Sequence, residues 1–187
     1  MNMLMAPLMA PDEKKVFEKL VLNSSKYFEF GCGGSTFFVT NHDNIKKVVS
    51  VDSSLEWINN VKQQINSPKL KIVHIDFEYG DWGCPTNPEQ KNIWETYSSS
   101  IDSYKDEYDL IFVDGRFRVA CAIKAYNHLS ENGLVLVHDY RDRPHYHILE
   151  QIYEKVDQVR WLVCFRKKQV DPNMLEELWQ KYKHDSN

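Results

Sequence analysis

Apolar side chains concentrate in short runs along the chain, separated by mostly polar segments. The runs are continuous rather than alternating, which is typical of strands covered on both faces in a parallel sheet. Their starts lie about 21 to 26 residues apart, apart from one gap of about 38, and this spacing fits one strand and one helix per unit. The predicted strands are 26–30, 47–51, 70–75, 108–113, 134–138 and 159–165.

The segments between these runs show helical periodicity. In 53–66, Leu55, Ile58, Val61 and Ile65 recur at steps of three and four residues and therefore share one helix face. The predicted helices are 12–22, 53–66, 117–129, 145–156 and 174–183. Alternation of strands and helices predicts a single α/β domain over 1–187, with an N-terminal helical extension (1–25) and a C-terminal helix (169–187).

One connection is too long to be a plain loop. Residues 77–107 are polar and aromatic, and two of the chain's glycines bracket Trp82 in Gly80-Asp81-Trp82-Gly83. Such an excursion is usually a binding loop or lid. We expect an insertion at the active site, with the Trp82 indole stacking on a cofactor base or a sugar face.

Composition narrows the class of protein. The chain has 187 residues, 42% hydrophobic and 27% charged, with a formal net charge of -4. These values indicate a folded globular domain without a membrane span, and they disfavour nucleic acid as a partner bound by bulk charge. The four cysteines are far apart, which favours free thiols and a cytoplasmic location. Oligomeric state is left open.

Glycines cluster directly after the first predicted strand. Gly31, Gly33 and Gly34 lie in EFGCGGST and precede a helix start, where exposed backbone amides could face a ligand. Asp52 follows at the end of the second predicted strand, where an acid can hold both hydroxyls of a ribose. Strand, glycine turn, helix, strand and acid in this order predict a nucleoside cofactor.

Two nucleoside cofactors fit this pattern differently. An NAD site would have a third glycine at position 36, where this chain has Thr36. The run from Glu29 to Thr36 instead resembles the first motif of class I S-adenosylmethionine-dependent methyltransferases. That resemblance implies a Rossmann-like, doubly wound, mostly parallel seven-stranded sheet with helices on both faces. It also implies a cofactor-binding set of Glu29, Gly31, Cys32, Gly33, Ser35, Asp52, Ser53, Asp76, Phe77, Trp82 and Asp114.

Candidate catalytic residues follow the fourth and fifth predicted strands. Asp114, His138 and Asp139 should meet at the carboxyl edge of the sheet, where α/β proteins bind their ligands. The two aspartates are similar to the acids of metal-dependent O-methyltransferases, including those that act on sugars. This similarity implies a Mg²⁺ site at Asp114 and Asp139, or a base and its orienting partner without metal.

Substrate contacts are expected from the loops after the same two strands. Arg116 and Arg118 carry guanidinium groups suited to carboxylate, phosphate or polyol groups, and Tyr140 follows the second acid. The basic segment 141–147 is more typical of a solvated loop. The sequence thus predicts a methyltransferase, with O-methylation of a small polar acceptor such as a sugar or glycan. An NAD-dependent oxidoreductase and a catalytically inactive Rossmann-like binding module are the alternatives.

Overall fold

The computed structural model describes residues 5–187, which form a seven-stranded sheet in the order β3-β2-β1-β4-β5-β7-β6. The strands are β1 (Lys26–Phe30), β2 (Lys47–Asp52), β3 (Leu70–His74), β4 (Tyr108–Val113), β5 (Leu129–Val137), β6 (Tyr153–Val159) and β7 (Leu162–Lys167). The helices are α1 (Pro11–Leu22), α2 (Gly34–Thr40), α3 (Leu55–Gln64), α4 (Lys91–Ser99), α5 (Arg118–Ala125) and α6 (Pro172–Tyr182).

Strand direction confirms the predicted fold class. The first five strands pair in parallel, and β7 runs antiparallel between β5 and β6. The chain order reverses between β1 and β4, because β2 and β3 lie on one side of β1 while β4 and β5 lie on the other. Loops that leave the carboxyl ends of strands at such a switch point diverge and leave a crevice for a ligand.

Helices cover both faces of the sheet because its strands are apolar on both faces. On one face, Phe28 and Phe30 belong to a large buried cluster that includes side chains of α4, α5 and α6. On the other face, Phe17 and Val21 of α1 pack with Tyr27 and with residues of α2, β4 and β5. A smaller cluster joins the glycine turn to α3 through Cys32, Ile58 and Val61.

The C-terminal part differs from the sequence-based expectation. The predicted helix at 145–156 is wrong, because Pro144–Gln151 forms a 3-10 helix and the chain then enters β6. The predicted strand at 159–165 spans the turn between β6 and β7, where Arg160 has a φ of 50°. β6 is an edge strand that is exposed along most of its length, so it lacks the apolar run that marks the inner strands.

The long insertion contains more regular structure than expected. Its second half forms α4, whose Trp94 and Tyr97 are buried against the sheet. Its first half contains the short 3-10 helix Asp81–Gly83 and a bridge that pairs Tyr79 with Pro85.

The segment before α1 crosses the glycine turn. A Cβ added at Gly34 would lie 2.0 Å from the carbonyl oxygen of Ala6, so the two backbones are in direct contact. The first four residues of the predicted extension lie outside the described residues. Among the helices that the structure describes, none has the length and apolar character needed to span a membrane.

Candidate active site

The glycine turn lies at the switch point of the sheet. Gly31 has a φ of 100°, and a Cβ at this position would lie 2.6 Å from the backbone nitrogen of Gly115. A side chain at Gly31 would therefore be strained and would also collide with the loop after β4. The two loops approach each other this closely because both positions are glycine.

Asp52 closes the second strand beside this turn, as predicted. Its Oδ2 accepts a hydrogen bond from the Cys32 amide at 2.9 Å, and its Oδ1 accepts one from the Ser54 amide at 2.9 Å. Burial raises the pKa of Asp52, although the backbone amides of Ser54 and Cys32 oppose that effect. Each carboxylate oxygen can accept a further hydrogen bond, so Asp52 can still receive ribose hydroxyls.

The backbone amides of the turn are used internally, contrary to the expectation that they face a ligand. The Cys32 amide is bonded to Asp52, and the Gly33 amide donates to Thr36 Oγ1 at 2.8 Å. The following helix, α2, has only seven residues, and the chain before α1 covers Gly34. The turn therefore offers a close-fitting surface rather than a set of free donors.

Glu29 is enclosed beneath the turn and is 0% exposed. Its carboxylate accepts hydrogen bonds from the hydroxyls of Tyr27, Ser35, Thr36 and Ser50. We expected Glu29 and Ser35 to contact the cofactor, but the structure uses them to fix the turn against α2 and β2. Burial raises the pKa of Glu29 to about 7 in spite of these hydroxyl donors.

The remaining predicted cofactor residues follow β2 and β3. Ser53 is buried, with its carbonyl oxygen 3.1 Å from His74 Nε2. Asp76 is exposed beyond β3, at the same edge of the sheet. Phe77 is buried in an aromatic cluster with Tyr97 and Phe117, so its ring supports the crevice from below instead of lining it.

The first half of the insertion reaches back over the carboxyl ends of β2 and β4. Tyr79 donates to Ser54 Oγ at 2.9 Å, and Arg116 Nη1 donates to Cys84 Sγ at 3.3 Å. Trp82 lies between these two contacts, has a φ of 59° and is 86% exposed. The insertion thus bridges the rim of the crevice while its indole points into solvent.

Asp114, His138 and Asp139 meet as predicted. Each can offer one ligand atom such that all of these atoms lie within 4.8 Å of one another. His138 Nδ1 is 3.2 Å from Asp114 Oδ1 and 3.5 Å from Asp139 Oδ1. Because Asp114 directly precedes Gly115, this acidic cluster lies beside the glycine turn.

Arg118 places a buried positive charge against both carboxylates of this cluster. The residue is 4% exposed, and its guanidinium is 2.6 Å from Asp139 Oδ2 and 3.3 Å from Asp114 Oδ1. It also donates to the carbonyl oxygens of Gly115, His138 and Asp114. Arg118 was expected to bind substrate, whereas the structure makes it the internal counterion of both aspartates. The cluster therefore fits a Mg²⁺ ion poorly, because Arg118 already pairs with both of its carboxylates.

His138 is held between carboxylates on two sides. Its Nε2 is buried without a hydrogen-bond partner and lies 3.6 Å from Glu13 Oε2 of α1. Burial would lower the pKa of His138, but Asp114, Asp139 and Glu13 outweigh that effect and raise it. Nε2 is buried and Nδ1 faces the two aspartates, so His138 is placed to hold Asp114 rather than to take a proton directly from an acceptor.

Asp139 belongs to the acidic cluster and is also partly exposed to solvent. Its φ is 56°, a left-handed conformation that is uncommon for a non-glycine residue. Burial would raise the pKa of Asp139, but Arg118, His138 and Arg143 lower it, so the carboxylate is ionised. The following Tyr140 was expected to touch substrate, but it is buried against Phe165 and donates to Glu150 Oε1.

A cavity of about 460 Å³ opens directly beside Asp139. It is lined by Asp139, Asp142, Arg143, His145 and Trp161. The loop after β5 and the β6–β7 turn form its walls, and the Tyr140 amide joins them by donating to the Trp161 carbonyl oxygen at 2.8 Å. Cavities of this size suit small-molecule ligands.

Three residues of the site carried no clear sign in the sequence. Glu13 falls within the predicted helix 12–22, Trp57 within the predicted helix 53–66 and Trp161 within the predicted strand 159–165, and none of them was a candidate for the site. In the structure, Trp57 Nε1 donates to the Cys32 carbonyl oxygen at 2.5 Å, and Glu13 accepts from the Trp161 amide at 2.9 Å. The antiparallel hairpin that brings Trp161 to the site was obscured by the polarity of β6.

Several solved structures are similar to this one. A methyltransferase-like protein from Silicibacter pomeroyi superimposes with a TM-score of 0.85 at 24% identity, covering 98% of each chain. The chain has the class I methyltransferase fold. A putative caffeoyl-CoA O-methyltransferase from Staphylococcus aureus has a TM-score of 0.63 at 14% identity, covering 88% of this chain and 86% of its own.

A third similar structure is that of an N-methyltransferase. The N-methyltransferase NodS from Bradyrhizobium japonicum has a TM-score of 0.60 at 15% identity, covering 84% of this chain and 96% of its own. No protein-family model matches the chain, and no curated protein matches it either.

Proposed function

We propose that this protein is an S-adenosylmethionine-dependent methyltransferase. The observation that carries the proposal is the contact between Gly31 and Gly115 at the switch point, with the Asp52 carboxylate beside it. Glycine at both positions removes the side chains that would fill the crevice, and Asp52 can accept ribose hydroxyls. NodS, which shares the fold at a TM-score of 0.59, has been solved in complex with S-adenosyl-L-homocysteine, and this supports the same cofactor class.

The acceptor atom is an oxygen in this proposal. Chemistry at a hydroxyl needs a proton acceptor, and two carboxylates lie between the glycine turn and the cavity. Base N-methylation is disfavoured, because β4 is followed by Asp114-Gly115-Arg116-Phe117 and not by an Asn/Asp-Pro-Pro-aromatic sequence. A small polar molecule such as a sugar or glycan suits the cavity, whose walls are mostly charged.

Each residue of the acidic cluster would have a separate role in methyl transfer. When bound, S-adenosylmethionine supplies a methyl group on a positively charged sulfur. Asp139 lines the cavity and orients the acceptor hydroxyl, and it receives the proton late, once the oxygen has become strongly acidic through bonding to carbon. Arg118 keeps Asp139 ionised for this step, and His138 holds Asp114 in place. The transfer therefore needs positioning more than a strong base.

No divalent ion takes part in this mechanism. Arg118 already supplies positive charge to Asp114 and Asp139 at 3.3 Å and 2.6 Å. A Mg²⁺ ion, which prefers six oxygen ligands in an octahedral arrangement, would have to displace the guanidinium. We further expect a cytoplasmic location, since Cys32, Cys84, Cys121 and Cys164 are free thiols.

Isothermal titration calorimetry tests the cofactor directly. S-adenosyl-L-homocysteine should bind the wild-type protein, and Asp52→Ala should weaken that binding by about tenfold or more because a buried acceptor of ribose hydroxyls is lost. Asp43→Ala, which removes an exposed carboxylate elsewhere, is the matched control. Binding of NAD in place of S-adenosyl-L-homocysteine would favour the oxidoreductase alternative, and binding of neither would contradict the proposed cofactor.

A further inference from the structure

The side chains that line the cavity beside Asp139 indicate a class of acceptor more specific than the proposed function gives. Its walls come from the loop after β5 and from the β6–β7 turn, and both are firmly held. Trp161 Nε1 donates to Asp142 Oδ2 at 2.7 Å, which ties the two walls together across the cavity. Arg160 Nε contacts both carboxylate oxygens of Asp12 at 2.7 Å, which ties the turn to α1. These contacts hold the two walls of the cavity together and join one of them to α1.

The acidic groups of the cavity already have partners. Asp139 Oδ2 is paired with the buried Arg118, and Asp142 Oδ2 accepts from the Trp161 indole. Arg118 therefore offsets the charge of Asp139, whereas the neutral indole occupies one oxygen of Asp142 and leaves its charge in place.

The basic groups of the cavity are less committed. Arg143 lies 3.9 Å from Asp139 at its nearest approach, beyond hydrogen-bond distance, and its side chain is 35% exposed. His145 also lines the cavity and is exposed. The adjoining segment 141–147 contains two arginines, two histidines and one aspartate. Among the described residues, no hydrogen bond occupies the side-chain donors of Arg143 or His145, whereas both carboxylates of the cavity already accept one.

We propose that the cavity binds an anionic acceptor, a hydroxyl compound that carries a phosphate or carboxylate group held by Arg143 and His145. Trp161 supplies an apolar wall suited to the ring of such a molecule, as indoles are to the face of a sugar. Asp139 lies at the inner side, so an acceptor anchored through its anionic group would present a hydroxyl to the acidic cluster. This inference deepens the proposed function and rests on it for the reaction, but not for the binding.

Calorimetry with defined probes tests the inference without any turnover. Glucose 6-phosphate and glucuronate are titrated separately into the wild-type protein, alone and with S-adenosyl-L-homocysteine, with methyl glucoside as the uncharged probe. We expect at least one anion to bind, with affinity falling as salt is added, and methyl glucoside to bind about tenfold more weakly or not at all. The two anions distinguish a phosphate-bearing acceptor from a carboxylate-bearing one.

Variants connect the binding to the cavity. Arg143→Gln should weaken the binding of the anion by about tenfold, because it removes the one arginine of the cavity wall while keeping a polar side chain of similar length. Arg166→Gln, an exposed arginine of β7 near the opposite edge of the sheet, should leave binding unchanged. Thermal melting of both variants checks that the fold is intact.

Two results would overturn the inference. One is the absence of binding by either anion at about 20 mM, and the other is equal binding by the wild type and Arg143→Gln. Failure of the proposed function would look different, since S-adenosyl-L-homocysteine would then not bind while the cavity still bound an anion. If the cofactor binds and the anions do not, only the acceptor inference fails.

Discussion

Arg118 donates to Asp139 across the carboxyl edge of the sheet at 2.6 Å, and this contact makes a buried guanidinium the counterion of the acidic cluster. The same side chain reaches Asp114 at 3.3 Å, so one residue of α5 joins the loops after β4 and β5. An internal cation of this kind cannot dissociate, and it fixes the spacing of both carboxylates without any ligand.

Removal of this guanidinium should create a metal site. In Arg118→Ala, Asp114, His138 and Asp139 would lose their cation while keeping three ligand atoms close together. Calorimetric titration with MnCl₂ should therefore show binding to the variant and none to the wild type. The variant should also lose about 2 kcal/mol of unfolding free energy in urea, because two partly exposed carboxylates lose their partner.

Arg116→Ala is the matched control for this experiment, because Arg116 lies in the same loop and contacts Cys84 instead of the acidic cluster. It should not bind Mn²⁺. If the wild type binds Mn²⁺ with one-to-one stoichiometry and Asp139→Asn abolishes that binding, Arg118 is not the resident cation and the metal-independent mechanism is wrong.

The buried Glu29 predicts an unusual pH dependence of stability. Its pKa rises from 4.5 to about 7 on folding, so the folded state holds a proton on Glu29 between these values more tightly than the unfolded state does. The stabilisation is complete below pH 4.5 and is lost as the pH rises to about 7. In urea titrations, the unfolding free energy should fall by up to about 3 kcal/mol over this range.

Glu29→Gln should flatten this profile, since an amide does not titrate. Near pH 5, where Glu29 is protonated, the variant should be closest to the wild type in unfolding free energy. At pH 8, where the wild type has lost the stabilisation from protonated Glu29, the variant should gain in unfolding free energy relative to the wild type. Glu18→Gln, at an exposed position of α1, should reproduce the wild-type slope. Equal slopes for Glu29→Gln and the wild type would show that Glu29 is ionised throughout.

The sheet was predictable from the sequence because its inner strands are buried on both faces. β1, β2 and β4 appear as continuous apolar runs, and the glycine turn and Asp52 lie directly at the ends of β1 and β2, where the sequence placed them. The edge strand β6 could not be predicted this way, because it is solvated and its polar residues lack the apolar run of a buried strand.

The roles of individual site residues were less predictable than their positions. Arg118 was correctly placed after Asp114, but only the fold shows that it points inward to Asp139 instead of outward to a ligand. Glu13 reaches His138 from a helix more than a hundred residues earlier in the chain, a contact that depends on tertiary packing alone. Sequence spacing indicates which edge of the sheet a residue occupies, but not which neighbour it faces.

The contact between Gly31 and Gly115 predicts that a single methyl group disrupts the crevice. Gly31→Ala would need a φ near 100° and would place Cβ 2.6 Å from the Gly115 nitrogen, so we expect a loss of about 3 kcal/mol or more in unfolding free energy. Gly80→Ala is the control, since its Cβ would meet only the Thr86 side chain at 3.3 Å. If both variants melt at the wild-type temperature, the two loops do not touch in solution.

The exposed indole of Trp82 predicts that this side chain contributes to cofactor binding and not to folding. Because Trp82 is 86% exposed, Trp82→Ala should change the unfolding free energy by no more than about 0.5 kcal/mol. If the indole swings onto a bound adenine, the same variant should bind S-adenosyl-L-homocysteine about tenfold more weakly, which is the usual contribution of one base–aromatic stack.

Trp82→Phe separates stacking from a general effect of the loop, because a phenyl ring retains a stacking surface and should recover most of the affinity. Tyr79→Phe removes the hydrogen bond to Ser54 Oγ and should loosen the bridge over β2, which would lower the affinity through a faster dissociation rate. Stopped-flow measurement of that rate checks the assignment. An affinity of Trp82→Ala equal to that of the wild type would mean that the indole stays in solvent and has another role.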